Sequence, residues 1–228
     1  AGVVMDIGLC VASHINDVGY VVRAEELGYS HAWMADSQML WSDCFATLAL
    51  VADRTSRINI GTGVAISGTR PAPVNAAGIA TINALAPGRT FFGVGAGNTA
   101  MRVMGLPPQR IAEFETYLQT LAPLLKGEEA WYRHGDASLP IRHIMPDKGF
   151  ANFDDEIPLY VSGFGPKSLA LAGRYGHGAV LGAANPSAML GSWHMLAEGA
   201  RAVGRDLRSP DNPSGESFYT TALTTMVV

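Results

Sequence analysis

Arg89-Thr-Phe-Phe-Gly-Val-Gly-Ala-Gly-Asn98 is a short apolar run that ends in glycines at positions 93, 95 and 97. An apolar run closed in this way is a buried strand whose far end lets another group approach the backbone closely. That far end is the candidate ligand site. The other stretches of interest also follow predicted strands, where parallel α/β folds keep their chemistry.

Working upstream, Val3 to Val11 forms the first strand and Ile15 to Leu27 the first helix, closed by Gly28. Ser30 to Ala35 is the second strand and Asp43 to Arg54 the second helix. Arg57 to Ile66 is the third strand, followed by a Gly/Pro loop over 67–73 and a helix from Val74 to Leu85 that stops at Pro87-Gly88. Downstream of the glycines, Pro107-Pro108 open a helix that runs to Lys126 and ends at Gly127. Four strand–helix units in series are the signature of a parallel sheet with crossover helices.

Residues 128–156 break this rhythm and are read as a polar excursion over the rim. The alternation then resumes with strands Ile157 to Ser162 and Gly178 to Leu181 and helices Lys167 to Tyr175 and Ser187 to Arg205. After a loop over 209–216, Phe218 to Val228 is a last strand. Seven strands and six helices fall one strand short of a closed (β/α)₈ TIM barrel, whose usual length is about 250 residues. The expectation is a single α/β domain over 1–228, a TIM-type barrel cut at its C-terminus. A natural seven-strand variant is the alternative.

Composition agrees with one buried core: of 228 residues, 48% are hydrophobic and 16% charged. A net charge of −4 leaves no broad basic footprint, which argues against nucleic acid as a partner. Cys10 and Cys44 are isolated thiols, which points to a reducing, cytoplasmic setting, and no apolar run is long enough to span a bilayer. No His, Cys or carboxylate group has metal-ligand spacing, and neither a Gly-x-Ser-x-Gly elbow nor a Cys/His pair is present.

Gly95-Ala-Gly97-Asn-Thr-Ala100 fits G-x-G-x-x-A, but the dinucleotide motif needs a helix directly at the glycines, and here the helix is delayed to Pro107. Glycines that merely allow a turn are the competing reading. Ser162-Gly163-Phe164-Gly165-Pro166-Lys167 opens a helix, so its free amides and the helix dipole form an anion site, with Lys167 either adding charge or simply solvated. Gly182-Ala183-Ala184 offers a second small-residue floor beside it. His31 and His177 each start a strand, at the opposite end of the barrel, and are assigned structural roles. What remains is an apolar pocket with few ionisable groups, suited to an enzyme whose cofactor performs the hard step.

Several stretches, in this order and spacing, resemble the bacterial luciferase-like superfamily of flavin- or deazaflavin (coenzyme F420)-dependent oxidoreductases. They are Ala-Trp-Met-Ala-Asp-Ser-Gln-Met-Leu-Trp (32–41), Ile-Gly-Thr-Gly-Val (60–64), Ala-Gly-Ile-Ala-Thr-Ile-Asn-Ala-Leu-Ala-Pro-Gly-Arg-Thr (77–90), Gly-Val-Gly-Ala-Gly-Asn (93–98) and Gly-Pro-Lys-Ser-Leu-Ala-Leu-Ala-Gly (165–173). The subgroup they resemble most is that of the methylenetetrahydromethanopterin reductase-like, F420-dependent proteins. The resemblance implies a barrel that dimerises, with the cofactor ring over the C-terminal strand ends and a non-prolyl cis peptide at Gly63-Val64 behind the ring. It also implies a cofactor phosphate on Gly163, Phe164 and Gly165, toward Gly182, with Ser162, Gly95 and Gly97 around the cofactor.

Asp36, Ser37, Trp41 and Asn98 are the implied ring-end residues, with capping of the next helix as the alternative role of Asp36. Sugar-phosphate dehydrogenases of the superfamily carry a His and a Glu where this chain has Ser37 and Asn98, so their acid/base mechanism does not transfer. The expected activity is hydride transfer between F420 and a small organic substrate. FMN-dependent monooxygenation and non-catalytic flavin binding are the alternatives.

Overall fold

The computed structural model describes residues 5–182 and 185–223. The strands are β1 (Gly8–Ala12), β2 (His31–Ala35), β3 (Asn59–Thr62), β4 (Ala65–Ile66), β5 (Thr90–Gly95), β6 (Ala130–His134), β7 (Ala137–Ile141), β8 (Leu159–Ser162), β9 (Gly178–Gly182) and β10 (Tyr219–Leu223). The helices are α1 (Gly19–Glu26), α2 (Cys44–Arg54), α3 (Ala72–Leu85), α4 (Thr99–Val103), α5 (Ile111–Leu124), α6 (Pro166–Tyr175) and α7 (Pro186–Arg201). One parallel sheet runs β1-β2-β3-β5-β8-β9-β10, with β4 continuing β3 against β5. Among the described residues no pairing joins β1 to β10. This is the expected TIM-type α/β architecture.

Alternation along the strands divides two compartments. Met34, Ile60, Phe92, Val94, Leu159, Val161 and Leu181 face outward and pack against Leu48, Val51, Ile79, Phe114, Leu118, Leu121 and Leu196 of the helices. Full burial of one such side chain stabilises by about 1.5–3 kcal/mol, so this layer dominates the fold. Trp33, Phe91, Tyr160 and Val180 face inward and form a separate cluster, with Val64 and Tyr219 packed against it. Helix α2 starts where Asp43 accepts a hydrogen bond from the Ala46 amide at 3.0 Å, a cap worth about 1 kcal/mol.

The structure corrects several expected boundaries. The first strand begins at Gly8 rather than Val3, and residues 1–4 lie outside the described residues, as do 224–228 of the predicted last strand. The third strand is two: β3 stops at Thr62, and a cis peptide joins Gly63 to Val64 before β4 begins. Between β3 and β4 the register against β5 slips by one residue, since Gly61 pairs with Phe91 but Ala65 pairs with Val94. A short helix, α4, follows the glycines directly, so the next helix is not delayed to Pro107. Five residues are too few to show a period, and Gly105 at φ +72° ends it. The 128–156 excursion holds an antiparallel hairpin, β6–β7, turned at Gly135-Asp136 with Gly135 at φ +59°. Most of the hairpin is exposed, which removes the apolar alternation that would have marked it.

Candidate active site at the C-terminal mouth of the barrel

At the C-terminal mouth the inward positions are small. Gly93 and Gly95 of β5 lie beneath the Val64 side chain: a Cβ on Gly93 would sit 3.2 Å from Val64 Cγ1, and one on Gly95 3.1 Å from Val64 Cγ2. Ser162 of β8 borders the same spot, 3.3 Å from a Cβ placed on Gly95. Gly63 rests on Trp33, whose Cβ would be 2.6 Å from an added methyl, so the 63–64 pair is wedged between β2 and β5. The result is a narrow floor with Val64 across it and, among the described residues, no carboxylate or cation on it, the Cys10 thiol reaching the Gly63 carbonyl at 3.6 Å from the β1 side.

Asp36, at the end of β2, is buried, with Ser37 beside it also buried. The Asp36 Oδ2 accepts from Arg70 Nη1 at 2.5 Å, and Arg70 Nη2 donates to Asp43 Oδ2 at 2.7 Å. Burial raises the Asp36 carboxyl above its ordinary range, against the pull of the Arg70 charge. Asp36 does not cap α2, since Asp43 does. Sequence reading missed Arg70, which sits in the loop after β4, far from Asp36 along the chain. Thr-Arg-Pro at the end of a Gly/Pro loop was the available signal, but nothing in it named the partner carboxylates.

Residues 37–41 fold as a tight turn, with the Leu40 and Trp41 amides both donating to the Ser37 carbonyl at 3.1 Å. Trp41 is left half-exposed, beside exposed Met39 and Leu40, and Met39 adopts φ +68°. Gln38 Nε2 approaches Met104 Sδ at 3.0 Å, which brings this turn to the loop after α4, where Met104 and Leu106 are also exposed. Asn98 is exposed at the start of α4 and makes no side-chain capping bond. Gly97, at φ +74°, abuts Ile66, where an added Cβ would lie 2.2 Å from Cγ2. The expected ring-end residues thus rim one mouth, with Asn98 on the side opposite Asp36 across β4.

The anion loop differs from its expectation. The Gly163 amide donates to the Val180 carbonyl at 3.2 Å and the Gly165 amide to Ser168 Oγ at 3.2 Å, so neither points free. Among the described residues, the amides of Phe164 and Lys167 make no hydrogen bond within the chain and are donors left at the start of α6. Phe164 is largely exposed, and its ring covers Gly182, where an added Cβ would fall 2.6 Å from Cε1. Ala183 and Ala184 of the expected second floor lie outside the described residues.

A cavity of about 270 Å³ opens at the other end of the barrel, lined by His31, Asn59, Phe91, Asp155, Glu156 and Tyr160. His31 packs there among Trp33, Phe91 and Tyr219, and burial lowers its proton affinity. His177 Nδ1 accepts from the Leu159 amide at 3.0 Å, which fixes its tautomer and a structural role. Among the described residues no cluster of three His, Cys, Asp or Glu could hold a metal, and no helix is long and apolar enough to cross a membrane.

The chain is 28% identical over 199 residues to 5,10-methylenetetrahydromethanopterin reductase of Methanolobus tindarius, covering 84% of this chain and 57% of the relative. It is 31% identical over 209 residues to F420-dependent hydroxymycolic acid dehydrogenase of Mycobacterium tuberculosis, covering 83% and 54%. The chain therefore spans a little over half the length of these curated relatives. The solved coenzyme F420-dependent tetrahydromethanopterin reductase from Methanopyrus kandleri superposes with a TM-score of 0.72 at 24% identity, over 96% of this chain and 65% of that one, and so shares its fold. Residues 14–221 match the luciferase-like monooxygenase description, and the chain belongs to that family.

Proposed function

We propose that this chain forms the barrel of an F420-dependent oxidoreductase that passes a hydride between the deazaflavin and a small organic substrate. The observation that carries the reading is the floor at the barrel mouth, where Gly93 and Gly95 carry no side chain, Val64 lies across them, and Ser162 borders them without a charge. A flat ring fits such a floor, because any side chain on Gly95 would stand where the ring must lie. When bound, the deazaflavin supplies the carbon that gives or takes the hydride.

In this reading Val64 backs the ring, and the amides of Phe164 and Lys167 hold the cofactor phosphate at the start of α6. Gly163 and Gly165 shape the loop rather than donate. Asp36, held by Arg70, orients cofactor or substrate from the end of β2. Trp41, with Met104 and Leu106, shields the reacting face from water. Ser37 and Asn98 contribute hydrogen bonds but no proton-transfer group titrating near neutrality. Their identity also sustains a second reading, a relative that binds a flavin without turnover. The proposal extends to one domain over 1–228, a homodimer and a cytoplasmic setting, supported by the family resemblance and the two isolated thiols.

Fluorescence titration of the purified protein with F420 and with FMN tests the reading. Binding of F420 with turnover of an organic substrate is the expected result. Tight FMN binding without F420 binding would instead favour FMN-dependent monooxygenation, and stable binding without turnover across a substrate panel would favour the non-catalytic reading.

A further inference from the structure

Arg70, in the loop after β4, is already engaged by two carboxylates and an aromatic ring. One terminal nitrogen holds Asp36 at 2.5 Å, the other holds Asp43 at 2.7 Å, and the guanidinium lies 5.2 Å from the centre of the Phe45 ring. Its side chain is only 20% exposed. Two carboxylates around one guanidinium leave the cluster with a net negative charge, which repels a third anion.

The loop that carries Arg70 is fastened at its root to the floor itself. The Ser67 amide donates to the Gly95 carbonyl at 3.0 Å, and its hydroxyl lies between that carbonyl and Gln109 Oε1. Thr69 Oγ1 donates to the Ile66 carbonyl at 3.2 Å, and Gly68 packs so closely on Met101 that an added Cβ would lie 2.6 Å from its sulfur. Arg70 is thus the link between the end of β2 and the end of β5.

We propose that Arg70 is a positioning residue that acts through Asp36, fixing that carboxylate beside the floor and making this side of the mouth a seat for an uncharged part of the substrate, not a receptor for a phosphate or carboxylate. The inference rests on the functional reading above only for what binds at the mouth. The titratable groups facing Asp36 are Arg70 from the loop after β4, Asp43 and Cys44 from α2, and Tyr117 from α5. Burial drives both the Cys44 thiol and the Tyr117 phenol upward, so both stay neutral and Arg70 is the single cation of the set. Without it, Asp36 keeps the Ile66 backbone hydrogen bond but faces Asp43 with no cation beside it.

Carboxyl-resolved ¹³C NMR on the protein without cofactor tests this in wild type, Arg70→Met and Arg70→Lys. In Arg70→Met the Asp36 midpoint is expected to rise by at least one pH unit, a tenfold gain in proton affinity, with Arg70→Lys between the two. Should Arg70→Met fail to fold, Arg70→Lys gives the same direction at smaller amplitude, because an ammonium cannot grip two carboxylates as a fork does. In a second arm, F420 affinity of Arg70→Met is expected to fall about tenfold at pH 8 and less at pH 5.5, and Asp36→Asn in the same background is expected to abolish that pH dependence.

An unchanged Asp36 midpoint in both variants overturns the proposal. So does binding of inorganic phosphate by wild type that Arg70→Met abolishes, since Arg70 would then be an anion receptor. If wild type binds neither F420 nor FMN, the functional reading fails, while the NMR arm still decides the part played by Arg70.

Discussion

Gly93 and Gly95 lie two residues apart on the same face of β5, yet alanine at each is expected to do opposite things. A Cβ on Gly93 would meet the Thr62 carbonyl oxygen at 2.2 Å, with Trp33 and Val64 at 3.2 Å on either side. The oxygen belongs to the backbone of β3 and must retreat by about an ångström, which strains a pairing that Thr62 Oγ1 also supports through its 2.6 Å bond to the Gly93 carbonyl. Overpacking of this kind costs about 1–3 kcal/mol, and the rigid partner places Gly93→Ala at the upper end. For a chain of this size 1 kcal/mol shifts Tm by about 2–4 °C, so a fall of about 5–10 °C is expected. A Cβ on Gly95 meets only side-chain atoms, at 3.1 and 3.3 Å, which can yield by a few tenths of an ångström. Gly95→Ala should keep Tm within about 3 °C of wild type yet weaken cofactor binding at least about tenfold, because the methyl occupies the ring's floor. Differential scanning fluorimetry and titration with F420 and FMN read the two effects separately. A Gly93→Ala protein as stable as wild type would refute the close-approach reasoning, and undiminished cofactor affinity in Gly95→Ala would move the ring elsewhere.

The Glu25 carboxylate accepts from the Ser56, Arg57 and Ile58 amides, and although burial pulls its pKa upward, these bonds hold it below the ordinary value. A depressed folded pKa gives stability that is present above the unfolded value of about 4.3 and is lost as pH falls through the folded one. Glu25→Gln should therefore destabilise by no more than about 1 kcal/mol at pH 7, since solvent screens this partly exposed carboxylate, and converge on wild type in acid, as urea melts across pH 3–7 would show; a pH-independent difference would sink the charge argument. Gly165 has open space around its Cα and an extended backbone (φ −115°, ψ 164°), so Gly165→Val should fold at a cost below about 1 kcal/mol while its side chain crowds the phosphate donors and weakens cofactor binding about tenfold. Unaltered affinity in that variant would place the phosphate away from α6.

The barrel strands were legible because a doubly buried parallel strand is apolar throughout, and His31–Ala35 and Thr90–Gly95 show this directly. The small floor was legible too, since glycines in a strand have few other reasons to exist. Less could be read where local signals are short or shared. The turn at Gly135-Asp136 joins strands that bury little, and α4 spans barely more than one turn. The Asp36–Arg70–Asp43 cluster depends on contacts between side chains 27 and 34 residues apart, which no local pattern encodes. The amides of Gly163 and Gly165 were misjudged for a related reason. Proximity to a helix start predicts free donors, but Val180 on the neighbouring strand and Ser168 one turn later take them first.

The one-residue slip between β3 and β4 reverses which parity of residue number serves which compartment. Before it, Ile60 and Thr62 turn away from the barrel axis and Gly61 toward it; after it, Ala65 joins the helix-facing layer while Val64 and Ile66 turn to the mouth. The inserted residue acts as a phase inverter, so that one uninterrupted apolar stretch supplies structural ballast in its first half and the walls of a binding chamber in its second. Deleting Gly63 alone would leave composition and hydropathy nearly untouched. It would also exchange those two assignments, and the chamber would lose Val64 and Ile66 to the helical layer while the sheet around it stayed paired.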